Sequence, residues 1–192
     1  MTISSSHFHV ALHEAKHSAF GTSVGFSVTA IHVAASQGHV IWSDDFPVPE
    51  ELARLWRRNP EATTTLVRHA VATLLSPHDG DRFPALCHDS ILVAQFGQAW
   101  YGLPTVGSAV PTPWLVLLRQ AHTAVRSWYQ QPGAACTLVR LAHHLARVGT
   151  LDAQAWTALW QREYGQQLRQ PTPAGLSTLP PLYTDARSCS TS

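Results

Sequence analysis

The stretch ALHEAKHSAFG, residues 11–21, contains His-Glu-x-x-His: His13, Glu14, Ala15, Lys16 and His17. On a helix, residues four apart lie one turn apart on a single face, so both imidazoles can address one metal ion. Glu14 sits beside them, placed to deprotonate a zinc-bound water without ligating the ion. Zinc lowers the pKa of that water towards neutrality and polarises a scissile carbonyl. A catalytic zinc also needs a third protein ligand and one open position. Because 12 of the 192 residues are His, the motif by spacing alone is an incomplete case. It gains weight from its setting, a proline-free helical stretch followed by a turn and two short β-rich runs.

The helix is expected from about Ser6 to Thr22, capped by Ser4, Ser5 or Ser6, with Gly21 and Gly25 marking its end. SVTAIHV (27–33) and HVIW (39–42) read as a β-hairpin turning at Gly38. Beyond SDDFPVP the pattern is helical. PEELARLWRR (49–58) opens on proline and acidic residues, and 59–76 has Asn59 as cap with Pro60 at its first position. Residues 77–84 read as a loop and 88–102 as a helix. Thr112 with Pro113 introduces a helix to about Gln131, and 137–149 and 151–165 are the last two. The fold class is therefore mainly α with a small β-hairpin (α+β). Residues 1–166 form one domain, with the His-Glu helix and hairpin in 5–45 and a helical remainder in 46–166. Residues 167–192, rich in Pro, Ser and Thr, form a poorly ordered tail.

A formal charge of +1, without a basic run or a basic face interleaved with aromatics, argues against nucleic acid as partner. No run of 18 apolar residues suggests a membrane span, and the N-terminus lacks the pattern of a signal peptide. Cys87, Cys136 and Cys189 are few, odd in number and without a C-x-x-C pair, which suits a reducing compartment. A cytoplasmic location is expected.

The segment from Ala11 to Trp42 resembles the opening of the FtsH-type zinc metallopeptidase domain. In that family, His-Glu-Ala-Gly-His-Ala leads through a helix into a short strand pair. Ala11, Leu12, His13, Glu14, Ala15 and His17 match the opening, Gly25 the exit, and Gly38-His39-Val40 the second strand. The resemblance implies a zincin-like helical metallopeptidase domain that binds zinc and hydrolyses peptides or proteins. It also implies Asp89 as the third ligand. That family's ligand is an Asp in a (Ser/Asn)-Asp-x-x-x-Ala pattern, and His88-Asp89-Ser90-Ile91-Leu92-Val93-Ala94 is similar with its Ala one residue late. The likeness runs loosely from residue 8 to about 165, and its specific part ends near Trp42.

Three features depart from the family. Lys16 stands where the family has Gly, and Leu75–Asp81 replaces an Ala-Gly-x-x-Ala-Glu segment. There is also no G-x-x-x-x-G-K-[ST], so this chain lacks the ATPase module; a separate ATPase or an oligomer remains a possible partner. Asp89 also suits a plain helix N-cap. His88, Asp79 and Asp81 are substitute ligands, and His9 extends the His13–His17 stripe. His32, His39, His69, His122, His143 and His144 read as ordinary histidines, and Trp128, Trp156 and Trp160 as core. Three functions follow: a stand-alone metallopeptidase, with His13, His17 and Asp89 on zinc and Glu14 as base; an inactive binding or regulatory module; and a helical interaction protein with a fortuitous motif.

Overall fold

Ser4 begins the first helix, its hydroxyl accepting from the His7 N–H at 3.3 Å. The computed structural model describes residues 4–78 and 87–164. The expectations for Asp79, Asp81 and the 167–192 tail lie outside those residues. Helix α1 spans Ser5–Ser23, and Gly25, at φ +103°, swings the chain into the sheet, a conformation that glycine adopts without steric cost.

Strands β1 (Val28–Val33) and β2 (Gly38–Trp42) pair antiparallel, with a bulge between Val28 and Ala30. The expected hairpin is part of a larger unit. A third strand, β3 (Thr150–Asp152), joins β1 on its other side, so the order is β2-β1-β3. Leu151 and Asp152 were expected to open the last helix; they are strand, and Leu151 buries its side chain opposite Ile31. Asp152 then caps the helix that follows, its carboxylate accepting from the Ala155 N–H at 2.8 Å. With β1 covered on both sides, β2 is an edge.

The remaining elements follow the expected order. A 3₁₀ turn at Pro49–Glu51 leads into α2 (Leu52–Arg58). Asn59 caps α3 (Pro60–Leu75), which a 3₁₀ turn at Ser76–His78 prolongs. Then come α4 (His88–Tyr101), α5 (Trp114–Tyr129), α6 (Ala134–Val148) and α7 (Ala153–Tyr164). Thr112 is not the α5 cap: Pro113 holds that place in an extended conformation, one residue later, without a side-chain cap bond. Among the described residues no helix is long and apolar enough to cross a membrane.

α1 is the axis of the packing. Ala11, Ala15, Ser18 and Ala19 are fully buried, and their small side chains let α6 lie close along the helix. Trp56, Trp100, Trp128, Trp156 and Trp160 are each at most 2 % exposed, so the expected aromatic core is present. Each such ring buries enough apolar surface to favour folding by roughly 4–6 kcal/mol before entropy is counted. Trp128 packs edge-on against Phe20 of α1 at 5.6 Å, and the Trp156 indole donates to Thr22 Oγ1 at 3.0 Å. The His-Glu helix is thereby clamped from several sides.

His69, on α3, is buried rather than ordinary, and its Nε2 has no partner among the described residues. Burial, reinforced by the Arg68 charge, lowers its pKa from 6.5 to about 4. The folded protein therefore keeps His69 neutral while the unfolded chain protonates it. Between pH 6.5 and 4 the unfolded state binds the extra proton, so stability falls on acidification, by up to about 3 kcal/mol in total. Urea midpoints measured from pH 7 to 4.5 should fall less steeply in His69→Gln than in the wild type. Parallel curves would show that His69 carries no such penalty.

Candidate metal centre

α1 presents His13 and His17 one turn apart, their rings edge-on with centroids 4.8 Å apart. Both Nε2 atoms point at one oxygen of Asp89: His13 at 3.3 Å and His17 at 3.2 Å from Oδ2. A third imidazole, that of His78, reaches the same oxygen at 3.0 Å. Ligands on a tetrahedral zinc, bonded at about 2.0–2.1 Å, stand roughly 3.3 Å apart. Each of the three ring nitrogens stands from the carboxylate oxygen at about that distance. His13, His78 and Asp89 form a group whose ligand atoms all lie within 4.8 Å of one another. His17 shares the carboxylate but stands outside that group.

Local structure explains why Asp89 is available. The N-cap of α4 is Cys87, whose sulfur accepts from the Ser90 N–H at 3.4 Å. Asp89 lies inside the first turn, so its side chain is not used as the cap and turns inward. It is buried, and burial alone would raise its pKa. Hydrogen bonds from His13, His17 and His78 outweigh that and hold the carboxyl well below the usual carboxylate range.

The donor set also fits a cation on chemical grounds. His17 Nδ1 lies 2.9 Å from the Thr73 carbonyl, which only accepts, so that nitrogen carries a hydrogen. Its Nε2 then faces the Asp89 oxygen with either a second proton or a lone pair shared with a cation. Burial lowers the His17 pKa, but the Asp89 hydrogen bond and charge, with Glu14, raise it on balance. A divalent ion bound between these rings and the carboxylate would take the place of a ring proton. A backbone carbonyl fixing the far nitrogen of a ligating histidine is the usual supporting contact at metal sites.

Glu14 is buried beside this cluster, and burial pushes its carboxyl up to about 7 against the opposing His17 charge. Its side chain runs under β2, where Gly38 has no side chain to meet it. A Cβ there would stand 2.6 Å from Glu14 Cγ, 2.9 Å from Oε1 and 2.9 Å from Val10 Cγ1. Glu14, His13 and Asp89 line a cleft of about 350 Å³, together with the apolar Val40, Trp42, Phe46, Leu92 and Phe96.

His13, Glu14, His17 and Asp89, singled out from the sequence, all line one cleft. His9 does not join them; it is exposed, with Nδ1 2.8 Å from the Ser5 carbonyl. His88 lines the cleft without reaching the cluster, and Cys87 Sγ lies 3.9 Å from His78 Nε2. His32 and His39 face each other across the strands at 4.8 Å, and His39 reaches the cleft rim. His78 is the residue that sequence reading passed over. No sequence signal marks it, since its turn meets α1 only in the folded protein. Lys16, which stands where the family has Gly, is not among the residues lining the cleft and donates to the Pro77 carbonyl at 3.3 Å.

Gly38→Ala should destabilise the protein by about 1–3 kcal/mol through overpacking against Glu14 and Val10. Denaturant unfolding of the variant measures this, and an unchanged midpoint would mean that β2 can move away from α1 freely. No protein-family model matches the chain, and a search of curated proteins finds no match.

Proposed function

We propose that this protein is a zinc-dependent metallopeptidase, with a zincin-like domain of the FtsH type acting on peptide or protein substrates. The observation that carries the reading is the convergence of His13 and His17 on the Asp89 carboxylate, with Glu14 in the same cleft. His13, His17 and Asp89 would hold the ion and Glu14 would serve as general base. When bound, zinc supplies a Lewis acid that brings a coordinated water towards neutral pKa and polarises a carbonyl. Glu14 takes the proton of the attacking water and returns it to the leaving amine nitrogen. The buried Asp89 carboxylate and the Thr73 carbonyl behind His17 keep the imidazoles in place. β2, an edge strand along the cleft, can pair with an extended substrate backbone between Gly38 and Trp42.

A second reading is favoured by His78. A fourth protein donor on the ion would fill the position that water needs, and a closed four-ligand site supports structure or binding rather than hydrolysis. The chain would then be an inactive binding or regulatory module on the same fold.

The purified protein should contain one zinc and cleave casein or a quenched peptide. Glu14→Gln should keep the zinc and lose turnover by about 10²–10⁴-fold, the usual contribution of a general base. Zinc at full stoichiometry with no turnover above the Glu14→Gln background would favour the binding module. Absence of zinc, with none regained on reconstitution, would sink both metal readings.

A further inference from the structure

At the C-terminal end of α3 and in the 3₁₀ turn after it, backbone carbonyls accept from side chains of other elements, the Thr73 carbonyl in addition to the Ser76 N–H and hydroxyl. Three of them lie close to α1 and α5, and each is met by a side chain. The Thr73 carbonyl accepts from His17 Nδ1 at 2.9 Å. The Ser76 carbonyl accepts from the Tyr129 hydroxyl. The Pro77 carbonyl accepts from Lys16 Nζ at 3.3 Å, and that ammonium also lies over the Tyr129 ring, 5.5 Å from its centre. A cation at this end of a helix is further favoured by the helix dipole.

The last two contacts grip the two residues immediately before His78. Its ring, at the end of this held turn, is the closest of the three imidazoles to Asp89 Oδ2, at 3.0 Å. Lys16 is the only lysine in the chain and adjoins His17 on the same helix. The helix that carries two of the imidazoles therefore also sets, through its next side chain, where the third one stands.

We propose that His78 is a ligand of the same metal ion, and that Lys16 and Tyr129 are its positioning residues, holding the Ser76–His78 turn by its carbonyls. The inference rests on the metal reading of the site and, since a fourth protein donor fills the position that water needs, it accords with the binding module rather than with hydrolysis. Lys16 thus has a place in the metal centre without touching the ion. Outer-shell partners of metal ligands typically contribute 10–100-fold in affinity.

The test is titration of the apo protein with zinc and with cobalt(II), whose visible spectrum reports the number and kind of ligands. His78→Ala should weaken zinc binding and alter the cobalt spectrum. Lys16→Met should weaken zinc binding about 10–100-fold and shift the cobalt spectrum towards that of His78→Ala. Lys16→Arg, which keeps a donor for the Pro77 carbonyl, should recover most of the affinity. Tyr129→Phe, which loses only the hydroxyl, should fall between, and it decides the matter if Lys16→Met does not fold. A role confined to stability would lower the melting temperature and leave the cobalt spectrum of the folded protein as in the wild type. That result, or a His78→Ala protein with wild-type spectrum and affinity, overturns the inference and leaves the His13–His17–Asp89 reading standing. A wild-type protein that binds neither metal overturns both.

Discussion

One buried carboxylate oxygen organises this molecule. An ionised carboxyl group removed from water is costly unless partners compensate it. Asp89 Oδ2 finds three imidazoles, two from α1 and one from the turn that ends α3. Asp89 itself is in the first turn of α4. A single atom thus ties together α1, the turn that ends α3 and the start of α4. Moving any of them away would leave a buried charge or a buried ring nitrogen without its counterpart. An ion in the same place would bind these segments more firmly still, since its affinity would add to the stability of the folded state.

The rest of the fold serves to keep α1 where this can happen. Its alanines allow α6 to approach, the tryptophans fill the space around it, and the sheet closes over Glu14 at Gly38. The end of α3 docks onto α1 through carbonyl groups that accept from His17 and Lys16. The same helix therefore supplies imidazoles to the cluster, a carboxyl group to the cleft and an ammonium to the neighbouring turn. Lys16 looks out of place against the FtsH pattern; here its long side chain reaches past the helix to a carbonyl next to His78.

Legibility in the sequence followed the range of the interactions. His13, Glu14 and His17 are readable because helical periodicity alone puts them on adjacent positions. Asp89 was reachable only through the family resemblance, since from the residues it could equally be a cap. The structure gives that role to Cys87. β3 was read as the start of a helix because three residues carry little pattern, and Asp152 does cap the helix that follows. His78 had no readable signal, because nothing in the eleven positions separating it from Asp89 has a period.

What the chain determined locally was the helix, its His-Glu-x-x-His face, the hairpin and most of the caps. These depend on backbone periodicity and on side chains satisfying nearby N–H groups. Tertiary structure alone decided that the last turn of α3 meets α1, that a third strand covers β1, and that His78 reaches Asp89. Those outcomes depend on burying a carboxylate and several backbone carbonyls among partners distant in sequence. Such a requirement is met by the packing of whole helices and leaves no fixed spacing to read.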